Sequence, residues 1–521
     1  MKSFRLFNVK SFTDTSNIEL KPITIFVGRN SCGKSSLIRF PVVLSQTFNE
    51  DVYTPLLFFG NLIDYGSFED VIHNHSGDNL GFKITCDLKK LRLSMSARRY
   101  ISNEIIMNIR KVCSEISLFV SLKKSDKKII VNELQLFWDD KVMANIVKTK
   151  GNRYNLVLNY VFDDCRLIKL EKPMKLSPTV IFDKFMPEIN IYSEDSIYSL
   201  VKEVLNRQHN EKVADELIEK ITRNMYSNRF STNRRKDYFD NLYEDTCNSQ
   251  LNIILQTVVI ISTLLKSINM ELNSFSNKLT YIGPFRKNPE RVYRDSENYY
   301  NSVGKTGENT TMLLRQAQQG SSDLLEHVSK WFKESMGYEI SIEEISNSNL
   351  FRLMVNGNSN EKGDNIIDVG YGISQVLPIV TQLYYDDFMN EDKRGYYRIQ
   401  KKDTFIIEQP ELHLHPAAQA NLADLFVEKA SKGKNKIIIE THSEHLIRRL
   451  QVLVADSNVN ISHNDIAIYY VDKKEDNNAT ISRMSINENG QFDCAWPTGF
   501  FDKSYELSKQ LLMVSRKKGK I

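Results

Sequence analysis

Gly28–Ser36 reads GRNSCGKSS, a G-x4-G-K-S spacing. Such a stretch curls backbone amides around a β-phosphate, with Lys34 neutralising the β and γ oxygens and Ser35 reaching Mg2+. Gly28, Asn30, Ser31, Gly33 and Ser36 complete the expected nucleotide-binding set. Upstream, Leu6, Val9 and Phe12, then Ile18, Leu20, Ile23, Ile25 and Val27, predict short strands; Ser35–Ser45 lacks a helix breaker until Pro41. Strand, glycine-rich turn and helix thus follow in the order the motif requires.

Two distant stretches match this loop: TFIIEQPELHLHP (Thr404–Pro416) and KIIIETHSEHL (Lys436–Leu446). Phe405–Ile407 predicts a buried strand ending in Glu408, an acid placed to accept from a Mg2+-bound water beside Ser35. Ile437–Ile439 repeats the pattern, with Glu440, Thr441, His442 and Ser443 at its end. His442 there either contacts a γ-phosphate or caps the next helix. His413, His415, His442 and His445 cluster in sequence, but the H-x-H beside Pro416 opens a helix, so Mg2+ rather than zinc is the implied metal.

A third landmark is IIDVGYGISQVLPIV, Ile366–Val380. Gly370 and Gly372 allow close backbone approach, Ser374 offers a hydroxyl and an amide, and an apolar helix runs from Val376 until Pro378 perturbs it. Such a helix start is a second anion site. Two phosphate-directed helix ends in one chain imply that the second serves another subunit's nucleotide.

With 521 residues and 41% apolar side chains, the chain is long for one core, so two or three domains are expected. Sixty-nine basic against 65 acidic residues give net +4, which argues neither for nor against nucleic acid. Cys32, Cys86, Cys113, Cys165, Cys247 and Cys494 lack zinc or disulfide spacing, and MKSFRLFNVKSF has no signal-like apolar core; a cytoplasmic protein is expected. The most apolar run, Leu251–Ile268, carries Asn252, Gln256, Thr257, Ser262, Thr263, Lys266 and Ser267, so it predicts a buried or interface helix and no membrane span.

Alternation at Phe82, Ile84, Cys86 and Leu88, then Leu91, Leu93 and Met95, predicts a β-hairpin continued by Ile116–Val120, Lys128–Leu136 and Tyr154–Tyr160. From about Ser196 to Asn273 the spacing of Val204, Val213, Leu217 and Ile221 turns helical. The expected division is therefore 1–195, the phosphate-loop half with a β-rich lobe; 196–277, a helical insertion; and 278–521, the half with the later motifs. Within the insertion Arg223, Arg229, Arg234, Arg235 and Lys236 lie beside Tyr226, Phe230 and Tyr238, a nucleic-acid or partner patch or else a solvated face. Arg286, Lys287, Arg291 and Arg294 similarly suit either a phosphate contact or a surface rim.

Taken together the motifs resemble the ABC-type AAA ATPase heads of the RecF, SMC and OLD-like group, with a C-terminus like that of the domain-of-unknown-function 3696 proteins. The resemblance covers about Met1–Asp70 and Lys278–Leu512, including Tyr281–Arg286 and the tail Gln491–Phe501 with Trp496 and Pro497. It implies an α/β fold: a P-loop ATPase head with a β-rich lobe and a helical insertion. Gly28–Ser36 would be the Walker A loop, Gly370–Gln375 the signature, Glu408 the Walker B acid, Glu411–Pro416 the D-loop region and His442 the switch histidine. ATP with Mg2+ would be sandwiched between Walker A of one subunit and Gly370, Gly372, Ser374 and Gln375 of another, in a homodimer or dimer-built oligomer. Gln46 lies early for a Q-loop, and Tyr65–His73 resembles the equivalent lobe segment. Many such heads carry a second carboxylate after the Walker B acid, where this chain has Gln409; an amide cannot accept a proton, so Glu411 orients the water, hydrolysis is slow, or ATP binding itself is the signal. The OLD-like nucleases add a metal-binding domain, but only about 75 residues follow His442 here, and Asp456, Asp465 and Asp472 predict no nuclease. Similar proteins serve bacterial anti-phage systems of the Septu-like and retron-associated kinds, which implies a separate effector such as an HNH nuclease or toxin and contact with DNA or retron nucleic acid. Direct action on DNA ends in repair or chromosome maintenance, and a nucleotide-stabilised scaffold, are the alternatives.

Overall fold

The computed structural model describes residues 1–75, 77–92, 107, 109–111, 113–126, 128–163, 166–190, 249–320, 322–357, 363–388, 402–433, 435–473, 478–494, 509–511 and 513. The basic patch Arg223–Lys236, the predicted helical positions Val204–Ile221, and Trp496 and Pro497 lie outside these residues. Packing divides the chain into one unit of Met1–Glu19 with Val43–Ser276 and another of Leu20–Val42 with Asn277–Ile521. The later break, at 276/277, falls beside the expected one after 277, whereas Leu20–Val42 joins the C-terminal unit because the phosphate-loop strand takes its sheet partners from that half.

The first unit is built on an antiparallel sheet. Among the described residues its order is Arg166–Leu176, Tyr154–Asp163, Lys141–Lys148, Lys128–Trp138, Glu115–Ser125, Asn79–Asp87, Ser3–Val9 and Phe12–Asp14, with Ile18–Glu19 also on Ser3–Val9. Asn79–Asp87, the first strand of the expected 82–95 hairpin, pairs with Glu115–Ser125 on one edge and with Ser3–Val9 on the other; Leu93 and Met95, from its second strand, lie outside the described residues. The helix Ser249–Lys278 is long and apolar enough to cross a membrane by composition. Two-thirds of its apolar window is buried inside the protein, as in a core helix. Its polar groups are used there: the Thr257 hydroxyl accepts the Phe162 N–H at 2.8 Å, and the Ser267 hydroxyl donates to the Thr263 carbonyl.

The second unit carries a sheet of order Leu279–Ile282, Thr404–Glu408, Lys436–Glu440, Ile23–Gly28, Ile466–Lys473 and Ala479–Met484. All its pairings are parallel except the last. ITIFVG, TFIIE and KIIIE are almost wholly buried, the continuous apolar run that a strand covered on both faces requires. Glu408 is in register with Glu440, and Glu440 with Phe26, so the carboxyl ends of these strands are level. Ligands of open α/β sheets bind at that edge. A smaller antiparallel sheet (Tyr338–Glu344, Leu350–Gly357, Tyr293–Arg294 and Asp364–Asn365) and the helices Thr310–Gln319 and Leu324–Met336 share the core through Leu314, Phe332 and Leu353. The helix Lys34–Asn49 runs through Pro41, and Tyr371–Phe388 through Pro378, so neither proline ends its helix as the sequence suggested.

Candidate functional site: the phosphate loop and its carboxylates

Gly28 ends its strand at φ +146°, and a Cβ there would lie 2.0 Å from the carbonyl oxygen of Val471, its partner in the sheet. Gly33 turns at φ +101°. Both positions demand glycine, and the amides of Ser36 and Leu37 then bond the Gly33 carbonyl to start the helix Lys34–Asn49. Gly28→Ala is expected to cost on the order of 3 kcal/mol, backbone strain plus overpacking. Urea unfolding measures the loss, and nucleotide affinity should fall with it.

Lys34 is 3% exposed, and its ammonium donates to the carbonyls of Gly28 (3.1 Å) and Arg29 (2.6 Å). Burial holds its pKa below the usual lysine value, opposed chiefly by the charge of Glu440. The Ser35 hydroxyl donates to Glu440 Oε1 at 3.0 Å. Burial, reinforced by neighbouring Glu408, pushes the Glu440 carboxyl up to about 7 against the opposing pull of Ser35 and Lys34.

The geometry at Glu408 departs from the sequence reading, which set this acid beside Ser35. Arg39 Nε and Nη2 grip its two oxygens at 2.7 Å each, and the Tyr281 hydroxyl donates to Oε1 at 2.7 Å. Arg286 Nη2 donates to the Glu408 carbonyl at 2.9 Å, and Nη1 to that of Pro284. Burial lowers the Arg286 guanidinium to about 10, against the attraction of Glu408 and Glu411, so it stays charged at neutral pH. Arg286 is thus interior, whereas Lys287 and Arg291 pair at the surface with Glu290 and Asp368.

Gln409 adopts φ +46°, a left-handed conformation uncommon for a non-glycine residue, and its amide bonds the Glu440 carbonyl at 2.7 Å. Glu411 Oε1 accepts the His442 amide at 2.6 Å, while Oε2 is buried without a hydrogen-bond partner. Burial raises its pKa. The His442 imidazole is lowered to about 4, by burial first and Lys34 second, and is neutral at pH 7. Ser443, not His442, caps the following helix Glu444–Ala455: its hydroxyl accepts the Leu446 amide and donates to Gln419.

The signature segment opens the helix Tyr371–Phe388. A Cβ on Gly372 would come within 2.7 Å of the His413 carbonyl, which brings this helix start against the loop after Glu408; at Gly370 it would meet nothing within 4 Å. Ser374 and Gln375 are largely buried, the Ser374 hydroxyl donating to the Tyr371 carbonyl, and Tyr371 is 63% exposed. Gln46 uses both ends of its amide on Leu57 and Ile63. Among the described residues no three His, Cys, Asp or Glu side chains form a metal-holding group.

Sequence reasoning assigned no role to Arg39, Tyr281 or Glu440. Signals existed: Arg39 lies four residues after Ser35 and shares its helix face, and the equal strands TFIIE and KIIIE place Glu408 and Glu440 side by side.

A level parallel edge bearing a glycine-rich loop, a buried lysine and paired acids defines a P-loop nucleotide-binding protein. Residues 1–447 match the AAA ATPase domain family, and the chain belongs to it; it binds and hydrolyses ATP. Residues 461–511 match a protein family of unknown function, DUF3696. No curated protein matches this sequence. Similar solved structures include an Smc head bound to the C-terminal winged-helix domain of ScpA (10% identity, TM-score 0.37, 93% of this chain and 97% of that one). Others are the Smc head with an extended coiled coil bound to the C-terminal domain of ScpA from Pyrococcus furiosus (11%, 0.36, 98% and 98%) and the SMC head domain from Thermotoga maritima (9%, 0.35, 93% and 99%). At these scores the likeness says nothing of function.

Proposed function

We propose that this ATPase is a nucleotide-gated switch: two copies close around ATP, each phosphate loop meeting the Gly370–Gln375 helix start of its mate, and the closed pair controls a partner. The observation that carries this reading is the second glycine-led helix start, with Gly370 bordered by open space and Tyr371 exposed beside it. Helix starts of this kind bind anions. The residues fit Mg2+: the Ser35 hydroxyl and a buried, unpartnered carboxyl oxygen of Glu440 lie together at the phosphate loop, as a hard cation held by phosphates and one or two carboxylates needs. When bound, the ion neutralises charge on the β and γ oxygens.

Within this site Lys34 holds the phosphates, neutral His442 hydrogen-bonds without adding charge, and Glu411 orients water where Gln409 cannot take a proton. Turnover is accordingly slow, and closure is the output. The effector we favour is a separate nuclease or toxin in anti-phage defence; direct action on DNA in repair or chromosome maintenance is the alternative. Copurification of a small nuclease in fixed ratio supports the first, and stimulation of ATPase by duplex DNA the second.

Complementation tests the shared pocket. Lys34→Ala and Gly370→Glu are each expected to cut turnover by on the order of 100-fold or more, the second because the single copy accommodates the side chain while the mate's triphosphate is repelled. Mixed, they leave one intact pocket in each heterodimer, so roughly a quarter of wild-type turnover should return. A mixture as inactive as its components refutes the shared pocket.

A further inference from the structure

We infer that Glu440, rather than Glu408, supplies the protein carboxylate that meets Mg2+ beside Ser35. This rests on the ATP-site reading above and specifies which strand end the metal uses.

The two acids are neighbours in register on adjacent parallel strands, and both are buried, but their surroundings differ. Glu408 has its charge matched by the Arg39 fork and a further bond from Tyr281. Bidentate guanidinium–carboxylate pairs are among the strongest side-chain interactions, so turning Glu408 toward a cation would break them and leave Arg39 uncompensated. Glu440 has no such cation clamp. Its Oε1 already accepts from the phosphate-loop serine, and its Oε2 is enclosed with no hydrogen-bond partner. A buried polar atom without a partner is rare in a folded protein and calls for an explanation such as an ion. A carboxylate needed only to fix the Ser35 rotamer would require one oxygen; here the second is held next to the hydroxyl that this loop motif directs at Mg2+.

Strand position accounts for the difference. Lys436–Glu440 pairs directly with Ile23–Gly28, the strand that feeds the loop, whereas Thr404–Glu408 lies one strand further away. The side chain of Arg39 fills the reach from the helix to that more distant acid. Glu408 then acts as a positioning residue, fixing the Lys34–Asn49 helix against the sheet.

The test uses Mn2+ as a paramagnetic stand-in for Mg2+, with the full chain and a non-hydrolysable ATP analogue. Free Mn2+ is read by electron paramagnetic resonance, and analogue affinity in EDTA is measured separately. Glu440→Gln is expected to lower Mn2+ affinity of the protein–analogue complex by on the order of 10–100-fold, while affinity in EDTA is unchanged or increased. Glu408→Gln should lose less. Wild-type Mn2+ affinity in Glu440→Gln, or a greater loss in Glu408→Gln, overturns the assignment. Should Glu440→Gln not fold, Glu440→Asp keeps the charge and shortens the reach: a Mn2+ loss with intact affinity in EDTA supports the assignment, and wild-type Mn2+ affinity overturns it. Failure of the underlying ATP site looks different, since the wild-type chain would then bind no analogue even in EDTA, or Lys34→Ala would bind it equally well; either result removes both readings.

Discussion

Lys34→Ala lowers kcat/KM for ATP by on the order of 10²–10³-fold, the scale of losing one preorganised electrostatic contact to developing charge. The expectation follows from where the ammonium is kept. It is almost fully buried, held by two loop carbonyls, and the charges of Glu440 and Glu411 help sustain its own against burial. A lysine stored in that way has already lost its water, so its attraction for a triphosphate is little reduced by desolvation on binding. The same substitution should alter global stability little, because the carbonyls it releases lie in a loop at the sheet edge. Steady-state ATPase assays and fluorescent-nucleotide titration, compared with urea unfolding of the same variant, separate the two effects. Wild-type hydrolysis by Lys34→Ala would remove the site assignment.

The phosphate loop could be read directly because its constraints are local: glycines where the backbone turns through positive φ and a lysine at fixed spacing. Buried parallel strands are equally legible, since ITIFVG, TFIIE and KIIIE have no polar face to hide. What the sequence left open depends on pairing between distant segments. Nothing near Phe82 announces that Asn79–Asp87 has Ser3–Val9 on one edge and Glu115–Ser125 on the other, since alternation marks a strand without naming its partners. Nothing near Glu408 announces a guanidinium from 369 residues upstream. The motif reading named an acid by its place in a pattern, but which acid faces Ser35 is decided by strand order, a property of the assembled sheet. Proline positions misled for a similar reason: helices containing Pro41 and Pro378 continue because packing against the core outweighs one lost backbone hydrogen bond.

Arg39→Met should destabilise the protein by about 3–5 kcal/mol, the usual cost of removing one partner from a buried ion pair. The Glu408 side chain is 2% exposed, and without the fork only Tyr281 would remain on its carboxylate. Methionine keeps much of the arginine's aliphatic packing, so the loss reports the stranded charge rather than a cavity. Glu408→Gln should cost less: the amide still accepts from Arg39 or Tyr281, and the freed guanidinium, 29% exposed, can reach water. In the double variant Arg39→Met, Glu408→Met no charge is left buried, and most of the loss from Arg39→Met alone should be recovered, because apolar replacements of buried pairs are often neutral. Equilibrium urea unfolding of the four proteins gives this cycle. Additive losses would show that the two side chains do not depend on one another. Recovery in stability should also be accompanied by retained Mn2+ binding with the ATP analogue, since a carboxylate whose task is to anchor Arg39 is dispensable to the metal once the anchor itself is replaced. Loss of Mn2+ from a stably folded double variant would instead return the metal to Glu408.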